Sequence, residues 1–119
     1  MSQLQIDMKR HTLESGVEVI VLTPAGPLAI DNSWTLRLKL QECTSKLSKH
    51  IVVNLSQLNL IDESGITTLV AGMRDADKIG GSFRLCEMPP KIKSVFEESL
   101  METVLEIFET EEEALGSTR

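Results

Sequence analysis

Hydrophobic residues recur along this chain with two periods. Near the N-terminus Leu4, Ile6 and Met8 alternate with Gln5, Asp7 and Lys9. A period of two marks a strand with one buried face. Glu14-Ser15-Gly16 breaks the pattern, and "GVEVIVLTP" follows, rich in the Val and Ile that suit a pleated surface. The two stretches predict a hairpin. Thr23 to Asn32 holds two prolines and a glycine and reads as a loop. Asp31 or Ser33 then caps a helix. Leu36, Leu40, Cys43 and Leu47 follow at helical spacing, and the helix is expected to end near Lys49-His50.

"IVVNLSQL" is a nearly continuous apolar run, which predicts a strand buried on both faces, as in a parallel sheet. A second helical pattern places Ile66, Leu69, Val70, Met73 and Ile79 on one face. Arg74, Asp75, Asp77 and Lys78 face water, and Gly80-Gly81 ends the helix. "SFRLCEM" is a further strand. Pro89-Pro90 opens a third helix, with Ile92, Val95, Phe96 and Leu100 inward. "VLEIFE" is a last strand, and Thr110 with Glu113 forms a capping box for a short final helix. The order β-β-α-β-α-β-α-β-α predicts an α/β fold with a mixed, mainly parallel sheet packed by about four helices. Residues 1–119 are expected to form one domain, because 119 residues leave little room for two.

Composition narrows the function classes. The net charge of −6 and the absence of a basic run argue against nucleic acid. Aromatic residues are 3%, with no Tyr, so base-stacking platforms are missing. Cys43 and Cys86 are too few and too far apart for a disulfide scaffold or zinc motif, and read as reduced core residues. The start lacks the apolar segment of a signal peptide, and no stretch approaches the roughly 20 apolar residues of a membrane span. A cytoplasmic location is the expectation.

Candidate chemistry is sparse. His11 and His50 sit in no metal-ligand spacing and read as ordinary surface histidines. No nucleophile elbow and no phosphate-binding glycine loop is present. Trp34, the lone tryptophan, is read as covering the edge of the core rather than as a partner anchor. What stands out is Asp62-Glu63-Ser64-Gly65, between an apolar run and the second helical pattern. Asp62 there is an N-cap, Glu63 sits at the positive end of the helix dipole, and Gly65 permits close approach of another backbone. Asp62 and Glu63 diverge at a helix start, so they make a poor acid pair, and an enzyme is not expected.

"IVVNLSQLNLIDESGITTLVAG", "KIGGSFRLCEMPPKIKSVFEES" and "FETEEEAL" stand in an order and spacing that resemble the STAS domain over nearly the whole chain. A stand-alone domain of this size is most similar to the anti-sigma factor antagonist branch. That resemblance implies a regulatory protein that binds an anti-sigma factor, itself a serine kinase that uses ATP. Binding releases a sigma factor, and phosphorylation of the antagonist turns the binding off. A phosphatase is a further partner, and the chain itself needs no cofactor. The family's switch turn reads Asp, phosphorylated Ser, Ser or Thr, Gly. These positions fall on Asp62, Glu63, Ser64 and Gly65. The phosphorylated position is thus Glu63, which accepts no phosphate ester. A second departure is Ala29 after Gly26-Pro27-Leu28, where an acid is usual and the nearest is Asp31. The resemblance implies a partner surface of Asp62, Glu63, Ser64, Gly65, Thr67, Thr68 and Asp31. The switch is altered at Glu63, moved to Ser64, or lost. In the last case the chain is a constitutive STAS module of a signalling scaffold or of a lipid transport system driven by an ABC transporter.

Overall fold

The computed structural model describes residues 3–118. Met1, Ser2 and Arg119, the ends of the expected 1–119 domain, lie outside them. Strands β1 (Gln5–Thr12) and β2 (Glu18–Leu28) form the expected antiparallel hairpin, from Gln5 opposite Ala25 to Thr12 opposite Glu18. β3 (His50–Asn54), β5 (Ser82–Cys86) and β6 (Glu106–Phe108) add in parallel, giving the order β1-β2-β3-β5-β6. β4 (Leu58–Ile61) pairs with the far end of β2, so the mixed sheet has six strands. Four helices complete the fold: α1 (Ser33–Glu42), α2 (Glu63–Lys78), α3 (Pro90–Ser99) and α4 (Glu111–Gly116).

Alternation within the central strands sorts the core into two layers. Ile20 and Leu22 of β2, Ile51 and Val53 of β3, and Phe83 and Leu85 of β5 pack with Leu36, Leu40, Leu69 and Phe96 from the first three helices. Val19, Val21, Val52 and Cys86 face the other way, against Ala114 of α4. Both faces are therefore covered, which is why β2 and β3 read as unbroken apolar runs. The capping box at α4 forms as expected. Thr110 Oγ1 accepts from Glu113 N at 3.1 Å, and the Glu113 carboxylate accepts from Thr110 N at 3.3 Å.

Several local expectations give way to tertiary context. The Thr23–Asn32 loop is mostly strand, because β2 continues to Leu28. Pro24 lies where β2 has left β3, after Leu22 opposite Val53, and has not yet met β4 at Gly26 opposite Leu58. No ladder donor is demanded of it there. Pro27 follows an irregularity in the register, a position where the missing N–H is tolerated. Gly26 turns the backbone at φ +105°, and a Cβ there would stand 2.8 Å from Gln3 O.

"IVVNLSQL" is likewise two strands rather than one. Asn54 Oδ1 accepts from Ser56 N at 2.9 Å, and Leu58 N donates to Leu55 O at 3.1 Å, so the chain turns between β3 and β4. The first helix stops early as well. After Glu42 the chain widens into a π turn, Cys43–Leu47, closed by Ser48 N on Cys43 O at 2.9 Å. Thr44 Oγ1 lies 3.2 Å from both Leu40 O and Gln41 O, competing with the backbone ladder. His50 belongs to β3, half-buried against Ser82 Oγ at 2.9 Å; burial, then Lys49 and Arg84, push its pKa down. Ile79 and Leu100, expected inward, are exposed because each sits at a helix C-cap, where the periodic face has ended.

A Gly26→Ala substitution is expected to cost about 1–3 kcal/mol, since a left-handed φ and a close carbonyl both oppose a side chain. Chemical denaturation followed by circular dichroism checks this. An unchanged midpoint would mean that β2 bends without help from glycine.

Candidate functional site

The site forms where β4 hands the chain to α2. Asp62 is the N-cap in extended conformation (φ −119°, ψ −173°). Its Oδ1 accepts from Gly65 N at 3.0 Å, and its backbone carbonyl accepts from Ile66 N at 3.1 Å. The other carboxylate oxygen reaches out of the turn and accepts from Ile30 N, also at 3.0 Å. One side chain thus caps a helix and holds a loop 32 residues away in sequence. That loop, residues 29–32, is braced from its own side. Asn32 Oδ1 accepts from Ala29 N at 2.8 Å and Asn32 Nδ2 donates to Pro27 O at 2.9 Å. The N-cap position of α1 is therefore Asn32, with its side chain spent on the loop, and neither Asp31 nor Ser33 caps that helix.

Gly65 explains the tight fit. A Cβ at this position would stand 2.6 Å from Leu28 O and 2.7 Å from Ile61 Cγ1. Only a residue without a side chain lets the first turn of α2 lie against the end of β2. Close approach here was legible in the sequence; its partner was not.

The remaining positions separate by exposure. Glu63 is exposed at the first helical position, and among the described residues its carboxylate has no hydrogen-bond partner. Thr67, one turn on, is exposed, as is Asp31. Ser64 is half-buried, and its hydroxyl has no hydrogen-bond partner among the described residues. Thr68 leaves the exposed set. It is buried, and its Oγ1 donates to Ser64 O at 3.0 Å, so it offers a partner nothing. Gly65 is buried too and acts through the backbone.

The sequence reading missed an apolar ridge beside this turn. Ile30, Trp34 and Leu38 are 76%, 62% and 56% exposed. Trp34 therefore does not cover the core edge. The signal was the four-residue spacing of Trp34 and Leu38 within α1, out of phase with Leu36 and Leu40. Asn32 was missed for a different reason: its partners are set by how the loop closes.

Residues 10–114 match the STAS domain family profile. The chain belongs to the STAS domain family. This STAS domain is 25% identical over 113 residues to a protein of Paenibacillus polymyxa named anti-sigma F factor antagonist, covering 94% of the chain and 92% of that relative. It superposes on a Thermotoga maritima structure provisionally assigned as an anti-sigma factor antagonist, with TM-score 0.81 at 22% identity and 94% coverage of each chain. It also matches the phosphorylated form of the Bacillus cell fate determinant SpoIIAA, with TM-score 0.66, 23% identity and coverage of 95% and 100%. At these identities the structures speak for the fold. Among the described residues, no helix is long and apolar enough to cross a membrane, and no group of His, Cys, Asp and Glu is arranged to hold a metal ion.

Both cysteines are buried. Burial pushes Cys86 up to about 12, with Glu111 and Glu87 adding, and burial raises Cys43 despite Lys39. Neither thiol should react with iodoacetamide at pH 8 in the native protein, and both should react in denaturant. Native labelling at either residue would contradict this burial.

Asp62→Ala is expected to cost about 1–3 kcal/mol, the loss of a cap and of a bond to the 29–32 loop. Amide hydrogen exchange should show faster exchange at both Ile30 and Gly65. Faster exchange at Gly65 alone would mean that the loop is held by Asn32 without Asp62.

Proposed function

We infer that this STAS domain is an anti-sigma factor antagonist that binds its partner around the start of α2, and that Glu63 holds a fixed negative charge where the family carries its phosphorylated hydroxyl. The observation that carries this reading is the exposed Glu63 carboxylate at the first position of α2, without a hydrogen-bond partner among the described residues. The curated relative supports the antagonist role, and a structural relative known in a phosphorylated form supports a charge-sensitive surface.

Its physics is electrostatic. A phosphate brings about −1.5 to −2 charges to such a position, and Glu brings −1 on a flexible arm. The helix dipole stabilises a negative charge at that position by roughly 0.3–1 kcal/mol. In a switch that is off when phosphorylated, Glu63 holds the surface part-way towards off. The protein binds the anti-sigma serine kinase weakly, or binds one adapted to the charge. The turn's rigidity matters here. With Asp62 spent on two backbone donors and Gly65 against Leu28 O, a change at position 63 alters charge rather than shape. The protein acts by contact and performs no catalysis; ATP belongs to its partner.

Calorimetry with the anti-sigma partner from the native organism tests this. Glu63→Ala and Glu63→Ser should each bind roughly tenfold tighter than wild type, about 1.4 kcal/mol. Equal affinities for all three would remove any role for the charge.

A second reading places the phosphoryl acceptor at Ser64, favoured by its hydroxyl having no hydrogen-bond partner among the described residues. Incubation with the partner kinase and ATP, followed by mass spectrometry, separates the two. Phosphate on wild type that is absent from Ser64→Ala supports the shifted acceptor. An unmodified chain, with the kinase active on a control, leaves the fixed charge of Glu63.

A further inference from the structure

β1 is the outer strand of the sheet: it pairs with β2 and with no other strand among the described residues. It is eight residues long and almost wholly exposed. Proteins ordinarily shorten, bend, charge or cover such an edge, because its free N–H and C=O groups invite another strand. Here the edge is long, its eight residues in unbroken register with β2, and its charges are of both signs, Asp7 beside Lys9 and Arg10. Above it lies an open groove, lined by Leu4, Ile6, Trp34 and Leu38, between the strand and α1.

We propose that β1 pairs antiparallel with β1 of a second copy of this chain, about a two-fold axis through Met8, joining two six-stranded sheets into one. The register follows from charge. A two-fold axis perpendicular to the sheet keeps α1 of both copies on the same side. It also requires directly opposed residues to share a face, so their numbers sum to an even value. Centring on Met8 sets Asp7 opposite Lys9 of the second copy, twice by symmetry. Centring on Asp7 sets two carboxylates face to face, and centring on Lys9 sets two ammonium groups face to face. Opposed like charges are unfavourable across a strand pair and opposed unlike charges are favourable. Of these three registers, only the one through Met8 is self-complementary.

The two faces of the joint then differ in character. On the α4 side, Asp7 and Lys9 make the charged pairs. Lys9 reaches Glu111 within its own chain only loosely, at 3.6 Å and largely exposed, so it remains available. On the α1 side, Met8 meets Met8 of the second copy, and Ile6 meets the stem of Arg10. The exposed Trp34 and Leu38 overhang this seam from the groove wall. They supply the apolar area that strand pairing lacks, since a stable interface buries about 1,200–2,000 Å². Because the two sheets run in opposite directions, the Asp62–Gly65 turns end at opposite ends of the joined sheet. Both stay open, and the dimer offers two partner sites.

Charge exchange tests the register. Sedimentation equilibrium at low salt should show a concentration-dependent dimer for the wild-type chain. Asp7→Lys alone and Lys9→Asp alone should each weaken association by about tenfold or more. The double variant Asp7→Lys/Lys9→Asp restores opposite charges and should dimerise as wild type does. Circular dichroism confirms that each variant is folded. A wild-type chain that stays monomeric at millimolar concentration overturns the proposal, as does a dimer that ignores both single changes, or a double variant that fails to recover.

Discussion

The contact between the first turn of α2 and the end of β2 organises this protein. Gly65 lies so close to Leu28 O that no side chain fits between them. The helix start is thereby pinned to the sheet by backbone against backbone. Asp62 completes the junction, because both of its carboxylate oxygens accept from main-chain donors on opposite sides of the contact. The 29–32 loop and the α2 terminus therefore behave as one surface. Without the glycine the helix would stand away from β2, and Asp62 could not reach Ile30 N.

That junction separates structural residues from presenting residues within a single turn. Asp62 and Gly65 are consumed by the fold, and Thr68 turns back onto Ser64 O. Glu63, Thr67 and Asp31 are left facing outward. A surface of this kind reads charge well. Its frame is held by hydrogen bonds that do not involve the residue carrying the charge, so an acid, a hydroxyl or a phosphate at position 63 changes the potential and little else.

The rest of the sheet gives that surface a rigid base. β2 serves two partners in turn, β3 along Ile20–Leu22 and β4 along Gly26–Leu28. Its second half places Leu28 beside Ile61, so the loop after β2 and the turn after β4 emerge at the same end of the molecule. The transfer between partners is also why Pro24 lies inside a strand: having left β3 and not yet joined β4, it owes neither a hydrogen bond. Pro27, already opposite Leu60, is tolerated at the register irregularity that opens the β4 pairing.

Sequence by itself determined what depends on neighbours within a few positions. The hairpin, the α4 capping box, the Asp62 cap, the need for a small residue at position 65 and the alternation of strands and helices all follow from local spacing and backbone preference. Family order and the anomalous acid at position 63 were legible for the same reason. Tertiary structure decided what depends on distant partners. Pro24 and Pro27 announce a loop until β4 arrives to pair with β2. Trp34 reads as covering the edge of the core, and the folded chain leaves it exposed instead. Thr68 reads as surface until the folded chain buries it. The second oxygen of Asp62 finds Ile30 N across 32 residues, and no local pattern encodes a hydrogen bond that exists only once the chain has closed on itself.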